Sequence, residues 1–128
     1  MEFCIITIAL TYPSQDLELT LRSLEAQTDN RFHLILVIST LTEKNRQQLL
    51  QRLSSVSFEF TLNYNDDTSL YDAMNIGLNI ADKKPSLFIN SGDTLFSEGS
   101  IDYIKSNYRV GATNSFSVVN RYSDCLVG

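Results

Sequence analysis

The stretch FHLILVI, Phe32 to Ile38, is mostly apolar and does not alternate. A strand with one wet face would place a polar residue at every second position. A run without that alternation is explained by burial on both faces, and two-sided burial is characteristic of a parallel sheet. Upstream, Leu17, Leu21 and Leu24 share one helical face, with Ser14 or Asp16 placed to cap and an end near Thr28, Asp29 and Asn30. Before that helix lies FCIITIAL, Phe3 to Leu10, a first strand that stops at Thr11, Tyr12, Pro13 and Ser14, since proline cannot continue a central strand.

Downstream, a second helix is expected from about Thr42, with Leu49, Leu50 and Leu53 on one face, and FEFTL, Phe58 to Leu62, alternates as a third strand. A polar loop, Asn63 to Thr68, leads into a helix from Ser69 to Asp82 whose Leu70, Ala73, Met74, Gly77, Leu78 and Ala81 are expected to face inward. Pro85 closes it. Ser86 to Ile89 reads as a short fourth strand ending in a turn at Asn90, Ser91, Gly92 and Asp93. A helix around Gly99 to Asn107 and a last strand near Thr113 to Asn120 complete the chain.

Strands alternating with helices make this an α/β protein with a mostly parallel sheet flanked by helices. Right-handed crossovers give the expected strand order third, second, first, fourth. The order reverses between the first and fourth strands, and ligands bind outside the carboxyl ends of strands at such a switch point. The loops there are Thr11 to Ser14 and Asn90 to Thr94.

At 128 residues the chain is expected to form one domain, 1–128, large enough to bury a core without disulfide or metal staples. A formal net charge of -5 argues against nucleic acid as a partner. It leaves room for a nucleotide held locally by backbone N–H groups or a metal ion. Cys4 and Cys125 form no CxxC pair, which suits a reducing cytoplasm, and Cys4 in its apolar run reads as a buried thiol. No segment approaches a spanning helix, and the opening MEFCII lacks the basic region of a signal peptide. Neither GxGxxG nor a P-loop is present, which counts against an unrelated α/β nucleotide-binding protein.

Asp66 and Asp67, Asp72 and Asn75, and Asn90 and Asp93 concentrate oxygen ligands on loops at one end of the sheet. Such ligands suit Mg²⁺ or Mn²⁺, and a divalent cation neutralises a diphosphate. Each residue alone also fits a plainer role. Asp66 or Asp67 can serve a turn or a cap, Asp72 favours a helix dipole, and Asn90 to Asp93 can be a simple turn.

The stretch SLYDAMNIGL, Ser69 to Leu78, resembles the GIYDAMNxG signature of family 2 glycosyltransferases. LFINSGDTLF, Leu87 to Phe96, resembles the segment that carries that family's DxD-like metal motif. IALTYPS with LTLRSLEAQT, Leu19 to Thr28, resembles its opening strand and first helix. The resemblance runs from Ile8 to Phe96 and is closest in flavour to enzymes of bacterial polysaccharide synthesis. It implies a GT-A, Rossmann-like fold and sugar transfer from a nucleotide-diphospho-sugar donor to a glycan or lipid-linked acceptor. It implies donor contacts from Thr11, Tyr12, Asp67, Asp72, Asn75 and Asn90, and a divalent cation, Mn or Mg, on Asp93. A cytoplasmic location, peripheral at the inner face of the membrane, goes with that reading.

The chain also departs from the family. Where members carry DDGSTD after the second strand, it has Ile38 to Glu43, without the base-reading carboxylate. Pro13 and Ser69 replace a usual asparagine and glycine, and Asn90 and Gly92 stand where many members have aspartates. The chain is shorter than family domains, which suggests a truncated, N-terminal donor-binding portion. The catalytic base is not identifiable: Asp102 falls in a helix and Asp124 near the end. Two expectations follow: a catalytically inactive remnant or nucleotide-binding module with the same fold is the alternative, and an uncovered sheet edge would favour a homo-oligomer.

Overall fold

A computed structural model describes residues 3–66, 69–95, 97–107, 118–120 and 125–127. The order of elements is β1 (Cys4–Thr11), α1 (Gln15–Glu25), β2 (His33–Thr40), α2 (Glu43–Leu53), β3 (Glu59–Tyr64), α3 (Leu70–Ala81), β4 (Ser86–Phe88), β5 (Asp93–Thr94), α4 (Ser100–Asn107), β6 (Val118–Asn120) and β7 (Cys125–Val127). The main sheet has the order β3-β2-β1-β4, as expected, and every pairing in it is parallel. The register places Ile6 opposite both Ile35 and Phe88.

Both faces of this sheet are covered, which is why its strands do not alternate. Ile5 and Ala9 of β1, with Leu34, Leu36 and Ile38 of β2, pack with Leu17, Leu21 and Leu24 of α1, Leu49 and Leu53 of α2, and Ile101 and Ile104 of α4. Cys4 and Ile6, with Ile35 and Val37, pack on the other face against Ala73 and Ala81 of α3. Consecutive residues thus enter opposite cores. Among the described residues no helix is long and apolar enough to cross a membrane.

The helices start where their side chains can cap. Ser14 accepts the Leu17 N–H at 3.2 Å, Thr42 accepts that of Asn45 at 3.1 Å, and Ser69 accepts that of Asp72 at 3.2 Å. Each satisfies a first-turn donor that has no partner within the helix.

Two expectations need correction. Leu70 and Leu78 do not face inward; they are 57% and 44% exposed. The buried stripe of α3 is Ala73, Gly77 and Ala81, four residues apart, and these small residues let the helix lie so close that the flanking leucines are carried past the sheet. The segment after β4 is also not only a turn. Asp93–Thr94 forms a two-residue strand, β5, antiparallel to β6, and β6 pairs antiparallel with β7 in a second, three-stranded sheet. The last strand expected near Thr113 to Asn120 is described only as β6, at Val118–Asn120; positions 113–117 lie outside the described residues.

Candidate functional site at the carboxyl edge of the sheet

Parallel strands deliver all their carboxyl ends to one edge. Here that edge brings together the end of β1, the end of β2, the first turn of α3 and the loop after β4. The crevice between β1 and β4 is the switch point, because β2 and β3 lie on the other side of β1.

Thr11 is the last residue of β1, half-buried, and it pairs with Thr40 at the end of β2. Tyr12 follows, half-buried, with its ring packed against the larger core; its peptide to Pro13 is cis. Ser39 ties the two strand ends together, its hydroxyl donating to the Leu10 carbonyl at 3.3 Å. Under the start of α3, a cavity of about 180 Å³ is lined by Ile8, Leu10, Val37, Ser39, Ser69 and Leu70, among others. Its walls are mainly aliphatic, with two hydroxyls for orientation. Where the family resemblance leads one to look for a base-reading carboxylate, Ile38 is fully buried in the core and Ser39 lines the cavity.

Asp72 and Asn75 both lie exposed on α3, and the Asp72 carboxylate stands in the first turn, where the helix dipole favours it. Asp67 lies outside the described residues. Asp66, just before it, is exposed.

The loop after β4 is fixed through its backbone. The Ser91 N–H donates to the Ile8 carbonyl at 3.0 Å, continuing the β4 ladder on β1. Gly92 is buried with φ 99, a conformation that costs a side-chain-bearing residue more than glycine. Its N–H reaches the Thr20 hydroxyl oxygen at 2.9 Å and the Asp16 carbonyl at 3.1 Å. The Thr20 hydroxyl in turn donates to the Asp93 carbonyl at 2.8 Å. Asn90 is left exposed and Asp93 half-buried.

Burial raises the Asp93 carboxyl above its ordinary pKa of 3.8, with the backbone N–H of Asn90 acting in the opposite direction. A carboxylate that loses water without gaining a compensating charge favours a proton or a cation. Among the described residues no group of three or more His, Cys, Asp or Glu could hold a metal ion. Asp93 with Asn90 therefore suits only the sparse kind of Mg²⁺ or Mn²⁺ site, where one or two protein oxygens join water and substrate phosphates. His33 is no candidate, since its ring meets Thr61 at 2.6 Å near the opposite, amino end of β2. Asp102 stands with Thr28 to Arg31 around a polar hollow at that same far end. Asp124 lies outside the described residues.

Thr20, Ser23 and Gln27 were not among the candidates. Thr20 and Ser23 lie on the face of α1 turned toward the segment after β4, and Gln27 follows just past the helix end. Ser23 accepts the Leu95 N–H at 2.8 Å, and Gln27 accepts the Ile101 N–H at 2.9 Å while donating to the Ser97 carbonyl at 2.7 Å. Their signal in the sequence is polar residues at helical spacing beside Leu17, Leu21 and Leu24.

A family described as "Putative rhamnosyl transferase" matches residues 17–90, more than half of the chain. Among solved structures, S. aureus TarS 1-349 in complex with UDP-GlcNAc is similar with a TM-score of 0.67 and 17% identity, over 83% of this chain and 30% of that one. The same TarS fragment in complex with UDP gives 0.63 and 16%, over 83% and 31%, and a further TarS structure gives 0.63 and 16%, over 83% and 19%. This chain thus spans between about a fifth and a third of the structures it resembles, and at this identity the likeness shows a shared fold. No curated protein matches the sequence significantly.

Proposed function

The chain belongs to this rhamnosyl transferase family, a family of glycosyltransferases, and from that premise we propose that it binds a nucleotide-diphospho-sugar donor for transfer to a glycan or lipid-linked acceptor. The observation that carries the reading is the half-buried Asp93 on a loop anchored at the β1/β4 switch point, at the same carboxyl edge of the sheet as an aliphatic cavity between the ends of β1 and β2 and the start of α3. The cavity takes the base, with Ser39 and Ser69 as its polar groups. Thr11 and Tyr12 flank the ribose. Asn90 and Asp93 would hold a divalent cation, and Asp72 and Asn75 approach the donor from the α3 side, with Asp67 a further donor contact by its place in the motif.

In this reaction the acceptor hydroxyl oxygen bonds to the anomeric carbon and gives up its proton, the bond from that carbon to the diphosphate oxygen breaks, and negative charge gathers on the leaving diphosphate. Asn90 and Asp93 would hold a Mn²⁺ or Mg²⁺ there, which would supply Lewis-acid stabilisation of that charge. What the chain supplies is position: a fixed backbone turn for the cation-binding carboxylate and a mainly aliphatic slot for the base. The family name favours a 6-deoxyhexose such as rhamnose as the transferred sugar. A cytoplasmic site of action, at the inner face of the membrane, fits a soluble donor and a lipid-linked acceptor.

Isothermal titration of the 128-residue chain with dTDP-, UDP- and GDP-sugars, with and without Mn²⁺, tests the reading. Metal-dependent binding of at least one donor is expected. No binding of any of them, at any Mn²⁺ concentration, would rule the reading out. Binding without sugar transfer would favour a nucleotide-binding module of the same fold.

A further inference from the structure

We propose that Thr20 is a positioning residue for the donor site, holding the Asn90–Asp93 loop in the shape that presents its oxygen ligands; the proposal rests on the donor reading above. Thr20 is fully buried in the middle of α1. A buried helical threonine ordinarily returns its hydroxyl proton to the carbonyl one turn back. That option exists here, with the Asp16 carbonyl at 3.3 Å, and a longer one goes to the Asn90 carbonyl at 3.4 Å. One proton serves one acceptor well, and the shortest contact, 2.8 Å, is to Asp93, 73 residues along the chain. The oxygen simultaneously accepts the Gly92 N–H at 2.9 Å, a donor it shares with the Asp16 carbonyl at 3.1 Å. A single hydroxyl therefore bridges the backbone of two consecutive residues of the loop, the Gly92 N–H and the Asp93 carbonyl, and its β-branched side chain has little freedom to follow if the loop moves.

The neighbouring anchors separate this role from general packing. Ser23 and Gln27 hold Leu95, Ser97 and Ile101 through their own hydrogen bonds. Loss of the Thr20 hydroxyl should thus release Gly92 and Asp93 while the path of the chain from Leu95 onward stays fixed. Thr20→Val keeps the shape and removes the hydroxyl. Thr20→Ser keeps the hydroxyl and removes a methyl.

The test uses the whole chain and its Thr20→Val, Thr20→Ser and Thr20→Ala variants, with folding checked by circular dichroism. Amide hydrogen exchange is read at Gly92 and Leu95, and titration uses Mn²⁺ with UDP as the probe. In Thr20→Val, exchange at Gly92 should accelerate, by up to about tenfold since the Asp16 carbonyl still accepts its N–H, while Leu95 changes little. Mn²⁺-dependent UDP affinity should fall, by up to about tenfold, the effect of losing the buried hydroxyl contact to the Asp93 carbonyl. Thr20→Ser should restore both readings; Thr20→Ala should behave as Thr20→Val and replaces it if the valine variant does not fold. Wild-type binding with unchanged affinity and Gly92 exchange in Thr20→Val overturns the proposal alone. Absence of Mn²⁺-dependent UDP binding by the wild-type chain overturns the role of Thr20 together with the use of this probe, and its failure with dTDP and GDP as well removes the donor reading itself.

Discussion

Gly77 of α3 rests directly on Ile6 of β1: a β-carbon placed on Gly77 would fall well inside contact distance of the Ile6 Cγ2 methyl. Ile6 is fully buried and central in the sheet, so neither side can easily give way. The contact fixes the depth at which α3 lies, and with it the height of Ser69 and Leu70 over the cavity. Gly77→Ala should destabilise the fold. Alanine gains up to about 1 kcal/mol of helix propensity, but overpacking a filled core costs about 1–3 kcal/mol. Urea denaturation should show a net loss, and an unchanged or raised midpoint would show that α3 can lift off Ile6 without penalty.

Arg52 of α2 binds two carboxylates of α1, reaching Glu18 at 2.9 Å and Glu25 at 2.6 Å. Its hydrogen bonds hold the Glu18 carboxyl below its ordinary 4.5, against the opposing effect of burial. A lowered carboxylate pKa contributes stability that is complete above the ordinary value and disappears as pH falls through the lowered one. Arg52→Met should therefore cost about 1–2 kcal/mol at neutral pH, within the range for charge-assisted bonds that are partly solvated. The difference from wild type should shrink steadily below pH 4.5. A gap that stays constant into acid would mean that aliphatic packing, not charge, is what Arg52 provides.

Thr7 is fully buried in β1, and its hydroxyl oxygen has no hydrogen-bond partner among the described residues. Thr7→Val replaces the hydroxyl with a methyl of similar size. Relief of an unsatisfied buried group should stabilise the chain by about 1 kcal/mol, read as a higher urea midpoint. A destabilised variant would point to a partner for that hydroxyl.

Asp93 has the opposite sign to Glu18. Burial raises its pKa, so the ionised form weighs against the fold as pH rises above 3.8, and on the donor reading a bound cation would offset that cost. Mn²⁺ and protons should compete for it, with Mn²⁺-dependent nucleotide affinity falling as pH drops through the raised pKa. Asp93→Asn should keep the fold by circular dichroism, equal or exceed wild-type stability at neutral pH without metal, and lose the Mn²⁺ dependence. Retained metal dependence in that variant would move the cation to other oxygens.

The topology was legible because Leu34 to Ile38 and Ile5 to Ile6 put apolar residues on both faces, which few sheet types allow. The carboxyl edge followed from topology, and Asn90 and Asp93 from local motif. The anchoring of their loop was not readable, because Thr20 and Gly92 are 72 residues apart and a threonine in an apolar helix face looks like an interruption. Leu70 and Leu78 misled for a related reason. Hydrophobic spacing shows which residues favour burial, whereas the closeness set by Ala73, Gly77 and Ala81 determines which of them reach the sheet. The strand β5 is two residues long and carries no periodicity to detect.

On the donor reading, the cavity under α3 also predicts a preference among bases. Ile8, Leu10, Val37 and Leu70 supply aliphatic walls, and the Ser39 hydroxyl already donates its proton to Leu10. Such a slot discriminates poorly by hydrogen bonding and better by apolar contact. Thymine differs from uracil by one methyl group, and burying one such group contributes about 0.8 kcal/mol. The chain should therefore bind dTDP about fourfold more tightly than dUDP, which differs from it by that methyl alone, at the same Mn²⁺ concentration. Leu70, at the rim, should supply part of the contact, so Leu70→Ser should bring the two affinities together chiefly by weakening dTDP. Competition titrations of dTDP against dUDP on wild type and variant measure both effects. Equal wild-type affinities, or tighter dUDP binding, would show that the base lies outside this cavity.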